Sequence, residues 1–118
     1  MSRELYTPTM SLVLEVVADE FAVSRRELVS EMRARSIAWP RQVAMWLGKQ
    51  VTGQSLPRIG RAIGGRDHTT VMWGCRRVEE RMAEDREFAI RVEGLRVALE
   101  NPASIWPRVI ENPERAAA

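Results

Sequence analysis

The sequence predicts an all-α fold, and three observations carry that reading. Apolar residues recur at helical rather than alternating spacing in several successive windows. Ser24, Ser55 and Asp67 each stand directly before such a window, where a helix N-cap belongs. Helix formers (Ala, Leu, Glu, Arg, Met) are abundant, and 118 residues suffice for one hydrophobic core.

In chain order, residues 1–9 form a lead-in bounded by Pro8. Leu12, Val13, Val16, Val17 and Phe21 mark a first helix from Met10 to about Phe21. Ser24 with Glu27 three residues on is a capping box for a short helix from Arg25 to about Ser30. Residues 31–39 lack helical periodicity and read as a basic loop with Arg33 and Arg35. Pro40 suits the first turn of the next helix, whose inner stripe is Val43, Ala44, Leu47 and Val51, with Arg41, Gln42 and Lys49 pointing elsewhere. Ser55 caps a short helix, Leu56 to Ile63, with Pro57 near its start. Gly64-Gly65 then permits a tight, left-handed turn. Asp67 opens a helix through Met82 whose apolar face is Val71, Cys75, Val78 and Met82. Phe88, Val92, Leu95 and Leu99 mark a further helix ending near Asn101-Pro102, either a cap on the same core or an arm for a partner. Residues 83–118 are accordingly taken as a C-terminal helix and tail, not a separate domain.

Two helices joined by a short glycine turn have the dimensions of a helix-turn-helix, and the octet Gly64-Gly65-Arg66-Asp67-His68-Thr69-Thr70-Val71 falls at the entrance of the second. Arg, Asp, His and Thr side chains together offer the donors, acceptors and methyl groups that base edges in a major groove demand. A capped surface helix with a polar first turn is the structural alternative. Charge distribution favours the first reading. The formal net charge is only +2, yet residues 25–81 hold eleven arginines and one lysine against five acids, between two mildly acidic flanks. A basic centre of that kind suits a face that meets phosphates.

Other chemistry finds little footing. His68 is the only histidine and Cys75 the only cysteine, so neither a metal site nor a catalytic dyad is expected. Cys75 reads as a small buried hydrophobe, and Glu79-Glu80 among Arg76, Arg77 and Arg81 as a solvated helix face. Trp46 and Trp73 are expected in the core or at its rim, and Trp106 in a docked C-terminal segment. No run approaches a membrane span, and no secretory signal opens the chain, which points to the cytoplasm.

Four motifs occur in order: Arg35-Ser36-Ile37-Ala38, Pro40-Arg41-Gln42-Val43-Ala44-Met45, Ser55-Leu56-Pro57-Arg58-Ile59-Gly60 and the octet. Together they resemble the C-terminal DNA-binding domain (domain IV) of the bacterial replication initiator DnaA, over residues 10–82. The resemblance implies a Trp-repressor-like helix-turn-helix that binds double-stranded DNA at DnaA boxes. It implies base contacts from Asp67, His68 and Thr69 in the major groove and from Arg33 in the adjacent minor groove. It further implies backbone contacts from Arg35, Arg41, Gln42, Lys49, Leu56, Pro57, Arg66 and Thr70. Trp39 stands where that family usually has Arg, and Glu31 and Met32 where basic residues are common. Met72-Trp73-Gly74 replaces the usual x-His-Ala, and Trp73 could stack on the minor-groove loop or on Trp39, or fill core space left by Gly74, a packing role being the expectation. The chain contains no Gly-x-x-x-x-Gly-Lys-[Ser/Thr] phosphate loop. The expectation is therefore a stand-alone, nucleoid-associated DNA-binding protein without enzymatic activity or cofactor, acting in replication control or transcription. An adaptor or dimerisation module working through residues 83–118 is the alternative.

Overall fold

A computed structural model describes residues 6–101 and 103 of the chain. Among the described residues there are six helices and no strand: α1 (Met10–Phe21), α2 (Arg25–Val29), α3 (Arg35–Val51), α4 (Leu56–Ala62), α5 (His68–Glu84) and α6 (Arg86–Glu100). The expected all-α architecture is present. None of these helices is long and apolar enough to cross a membrane.

Local capping chemistry starts most of these helices. The Ser24 hydroxyl accepts the Glu27 N–H at 3.0 Å while the Glu27 carboxylate accepts the Ser24 N–H at 2.9 Å, completing the capping box. Ser55 caps α4 and Asp67 caps α5, the latter accepting the Thr70 N–H at 2.8 Å. Asp85 ends α5 and also opens α6, its side chain accepting the Phe88 N–H at 3.1 Å. One residue thus turns the chain between two long helices.

Helix α3 packs against every other helix and forms the axle of the fold. It starts at Arg35, not at Pro40 as the sequence predicts, so Pro40 lies inside the helix. A proline there removes a backbone donor and strains the preceding turn. Tertiary burial offsets that cost, because Ile37 and Pro40 are both buried. The half-buried Trp39 ring also meets Phe88 of α6 edge-on at 5.9 Å. As a result the basic loop shrinks to residues 30–34, with Arg33 near its end and Arg35 on the helix.

The core joins Val13, Val16 and Val17 of α1 to Val43 and Leu47 of α3, Ile59 of α4, Val71 and Val78 of α5 and Val92 and Leu99 of α6, all fully buried. Each such side chain contributes roughly 1.5–3 kcal/mol by leaving water. Phe88, Val92, Leu95 and Leu99 all face inward, so α6 is a cap on the shared core. The Tyr6 hydroxyl donates to the Leu99 carbonyl and ties the lead-in to the same helix. Trp106, with Ile105, Val109 and Ile110, lies outside the described residues.

Candidate nucleic-acid interface

The helix-turn-helix is α4, the Gly64-Gly65 turn and α5. Gly64 and Gly65 both take positive φ, 72° and 77°, the left-handed conformation that favours glycine. Gly60 is required for a different reason: a Cβ there would lie 1.9 Å from the Arg66 carbonyl oxygen. That close approach lets the Arg66 N–H donate to the Gly60 carbonyl at 2.9 Å, folding the turn back over α4. Val71, Cys75 and Val78 anchor α5 to the core. Burial pushes the Cys75 thiol up to about 11, which makes it an inert filler at neutral pH.

What remains at the α5 entrance is exposed. Asp67, His68, Thr69 and Thr70 all face solvent. The Asp67 carboxyl titrates below its ordinary value because the Thr70 backbone N–H donates to it, so Asp67 is both cap and candidate contact. Arg33, Arg35 and Lys49 are also exposed and make no ion pair with any described residue. The 30–34 loop and the turn flank an open cleft of about 640 Å³ lined by Glu31, Arg33, Arg41, Gly64, Gly65, Arg66 and Thr70. A second, smaller cleft gathers Arg35, Ala38, Trp39, Gln42 and Arg77. Lys49, near the end of α3, lines neither of these two clefts, and Leu56 is half-buried at the start of α4.

Three expectations need correction. Arg41 does not point away from the core. It is 6% exposed and its guanidinium donates to four backbone carbonyls, those of Glu27, Leu28, Ser30 and Met32. The signal missed was the short α2, whose last carbonyls need donors from elsewhere. Pro57 is exposed but has no N–H, so at that helix start only the Leu56 amide can donate. Trp73 does not fill space beside Gly74. It is 51% exposed, with the Arg76 guanidinium 4.9 Å above its ring, and Met45 occupies that space instead, since a Cβ on Gly74 would lie 2.5 Å from the Met45 sulfur. Trp46 is in the core as expected, its indole N–H donating to Glu79 at 3.3 Å, which gives one member of the Glu79-Glu80 pair a structural partner.

Two further arginines stack on the aromatic pair of α3 and α6. The Arg81 guanidinium lies 4.6 Å from the Trp39 ring and 4.1 Å from Phe88, and that of Arg77 lies 5.7 Å from Trp39. Trp39 therefore has two cations within reach of its ring.

An all-helical body that presents an uncovered polar helix entrance beside unpaired cations defines a helix-turn-helix protein of the nucleic-acid-reading class. A sequence model of the family described as "Bacterial dnaA protein helix-turn-helix" matches residues 10–78, and the chain belongs to that family. Curated relatives described as chromosomal replication initiator protein DnaA align with it. The protein from Ruegeria pomeroyi is 49% identical over 92 residues, and that from Roseobacter denitrificans 47% over 92. Each alignment covers 78% of this chain and 20% of the relative. The protein from Caulobacter vibrioides is 46% identical over 87 residues, covering 74% of this chain and 18% of its own. The chain thus spans about a fifth of the length of these relatives.

Proposed function

We propose that this chain binds double-stranded DNA sequence-specifically at DnaA-box-like sites, with α5 in the major groove. Asp67, His68 and Thr69 then meet base edges, and Arg33 enters the adjacent minor groove. Arg35, Gln42, Lys49, the Leu56 amide and Thr70 hold the sugar-phosphate strands and set register without reading sequence. Arg41 and Arg66 contribute charge beneath the cleft. The observation that carries this reading is the exposed first turn of α5 standing among cations that form no ion pair with a described carboxylate. The helix N-terminus adds its own positive end to that field.

Such a protein has no catalytic step. It acts by occupancy, competing for boxes at an origin or promoter in the cytoplasm on the nucleoid, and regulates replication initiation or transcription. Selection of bound duplexes from a random pool tests this directly. Recovery of a DnaA-box-like element supports it, and an unrelated consensus or none overturns it.

A second reading is a dimerisation or adaptor module working through residues 83–118. It is favoured by Ile90 and Val97, 63% and 55% exposed and two helical turns apart on α6, with open space over Gly94 between them. Light scattering on the full chain separates the two, since a concentration-independent monomer removes the dimer.

A further inference from the structure

We infer that Arg41 and Arg66 are positioning residues that lock the 30–34 loop to the turn of the helix-turn-helix, so that Arg33 and the α5 entrance meet the duplex as one rigid unit. This rests on the DNA-binding reading above, and it departs from the phosphate-contact role that the family resemblance implies for both residues.

Donor accounting supports it. A guanidinium offers five N–H donors in a fixed planar fork. Arg41, rooted in α3, spends four bonds inside the protein: Nε to the Leu28 carbonyl at 2.8 Å, Nη1 to Met32 at 2.7 Å, and Nη2 to Glu27 and Ser30 at 3.1 Å each. Two of these carbonyls belong to the last turn of α2, and two belong to the loop itself. Met32, held at its carbonyl, is the residue directly before Arg33. Arg66 approaches from the turn side. Its Nη2 donates to the same Ser30 carbonyl at 2.6 Å, while Nη1 donates to Ile63 at 2.9 Å. The Ser30 oxygen, with two lone pairs, is thus the point at which α3, the loop and the turn are joined.

The backbones also meet without intervening side chains. A Cβ on Gly64 would lie 2.1 Å from the Val29 carbonyl oxygen, so the turn is seated directly against the end of α2. Because the acceptors are neutral carbonyls, both cations keep their charge. Burial lowers the pKa of each, and for Arg41 the nearby Arg66 charge adds to that lowering. Holding two like charges this close has a cost, and the shared carbonyl network offsets it. A loop without regular structure would otherwise have to be ordered each time Arg33 bound.

The test uses the full chain and a duplex carrying a DnaA box, with a scrambled duplex as control. Arg66→Gln is the main variant because Arg66 is only partly buried, unlike Arg41. Arg41→Lys is the second, because it keeps the charge but cannot span four carbonyls. Either change should weaken box binding about tenfold in the native background, yet less than about twofold when combined with Arg33→Ala. Both should relax preference at the base pairs that Arg33→Ala relaxes, and leave the preferences controlled by Thr69 in place. Hydrogen exchange of amides 31–34, measured without DNA, should speed up in both variants while the core amides of α3 stay protected.

Equal losses with and without Arg33 would mean that these arginines touch phosphates directly, and would overturn the proposal. Unchanged exchange in the loop would overturn it as well. If the native chain fails to prefer the box, the DNA-binding reading fails, and the exchange comparison alone then decides whether the lock exists.

Discussion

Two parts of this molecule carry arginines in quantity and treat them in opposite ways. Along α6 and the facing end of α1 two of the three α6 guanidiniums, Arg91 and Arg96, are answered by carboxylates. Arg91 pairs with Glu20 at 2.7 Å, Arg96 reaches both Glu93 and Glu100, and Arg81 pairs with Asp85 at the α5–α6 junction. From the 30–34 loop to the α5 entrance there are no such pairs among the described residues. Arg33, Arg35, Lys49, Arg58 and Arg61 stand without a carboxylate, and Arg41 and Arg66 are set on carbonyls. The first arrangement closes a surface. The second leaves its field available to a polyanion. Composition alone does not distinguish them, since both parts are arginine-rich.

The contrast is open to attack by substitution. The largest effect is expected at the α5 entrance: His68→Ala or Thr69→Ala should cost on the order of 1–3 kcal/mol on a box duplex and far less on a scrambled one, by fluorescence anisotropy. Comparable losses on both duplexes would place these residues on the backbone instead. Lys49→Ala should weaken both duplexes to similar extents and lower the slope of log affinity against log salt by about one.

Glu31→Gln works in the opposite direction. Glu31 lines the cleft with Arg33 and Arg66 and is the one acid in it. Removing its charge should tighten binding to either duplex roughly threefold, as expected for one partly screened like charge near a phosphate. An unchanged affinity would mean that no phosphate passes near that residue.

The smallest effects belong to the paired face. Arg91→Ala or Arg96→Ala should leave DNA affinity within about twofold and lower stability by no more than about 1 kcal/mol in urea unfolding. A large loss of DNA binding there would erase the distinction between the two faces.

What could be read in advance was local. The Ser24–Glu27 box, the Ser55 and Asp67 caps, the positive-φ glycines and the apolar stripe of α5 depend on neighbours within a turn, and sequence carries that information. What could not be read depended on distant partners. Pro40 looks like a helix start until Trp39 meets Phe88, 49 positions away, and helix formation extends back to Arg35. Arg41 looks like a surface cation until the short α2 leaves carbonyls for it to bind. Trp73 looks like filler for Gly74 until Met45 takes that space from α3. In each case a long side chain was drawn to a partner whose position only the packed helices determine. The exposure of Asp67, His68, Thr69 and Thr70 follows from local signals instead, the Asp67 cap and the polar first turn of α5.

The most direct test of the account is the affinity of the full chain for a box duplex against a scrambled one, measured side by side at physiological salt. A preference of a hundredfold or more, approaching the thousandfold common for specific DNA binders, is the expected result. Equal affinity for the two duplexes would contradict it, and would reduce the unpaired cations to a non-specific polyanion surface.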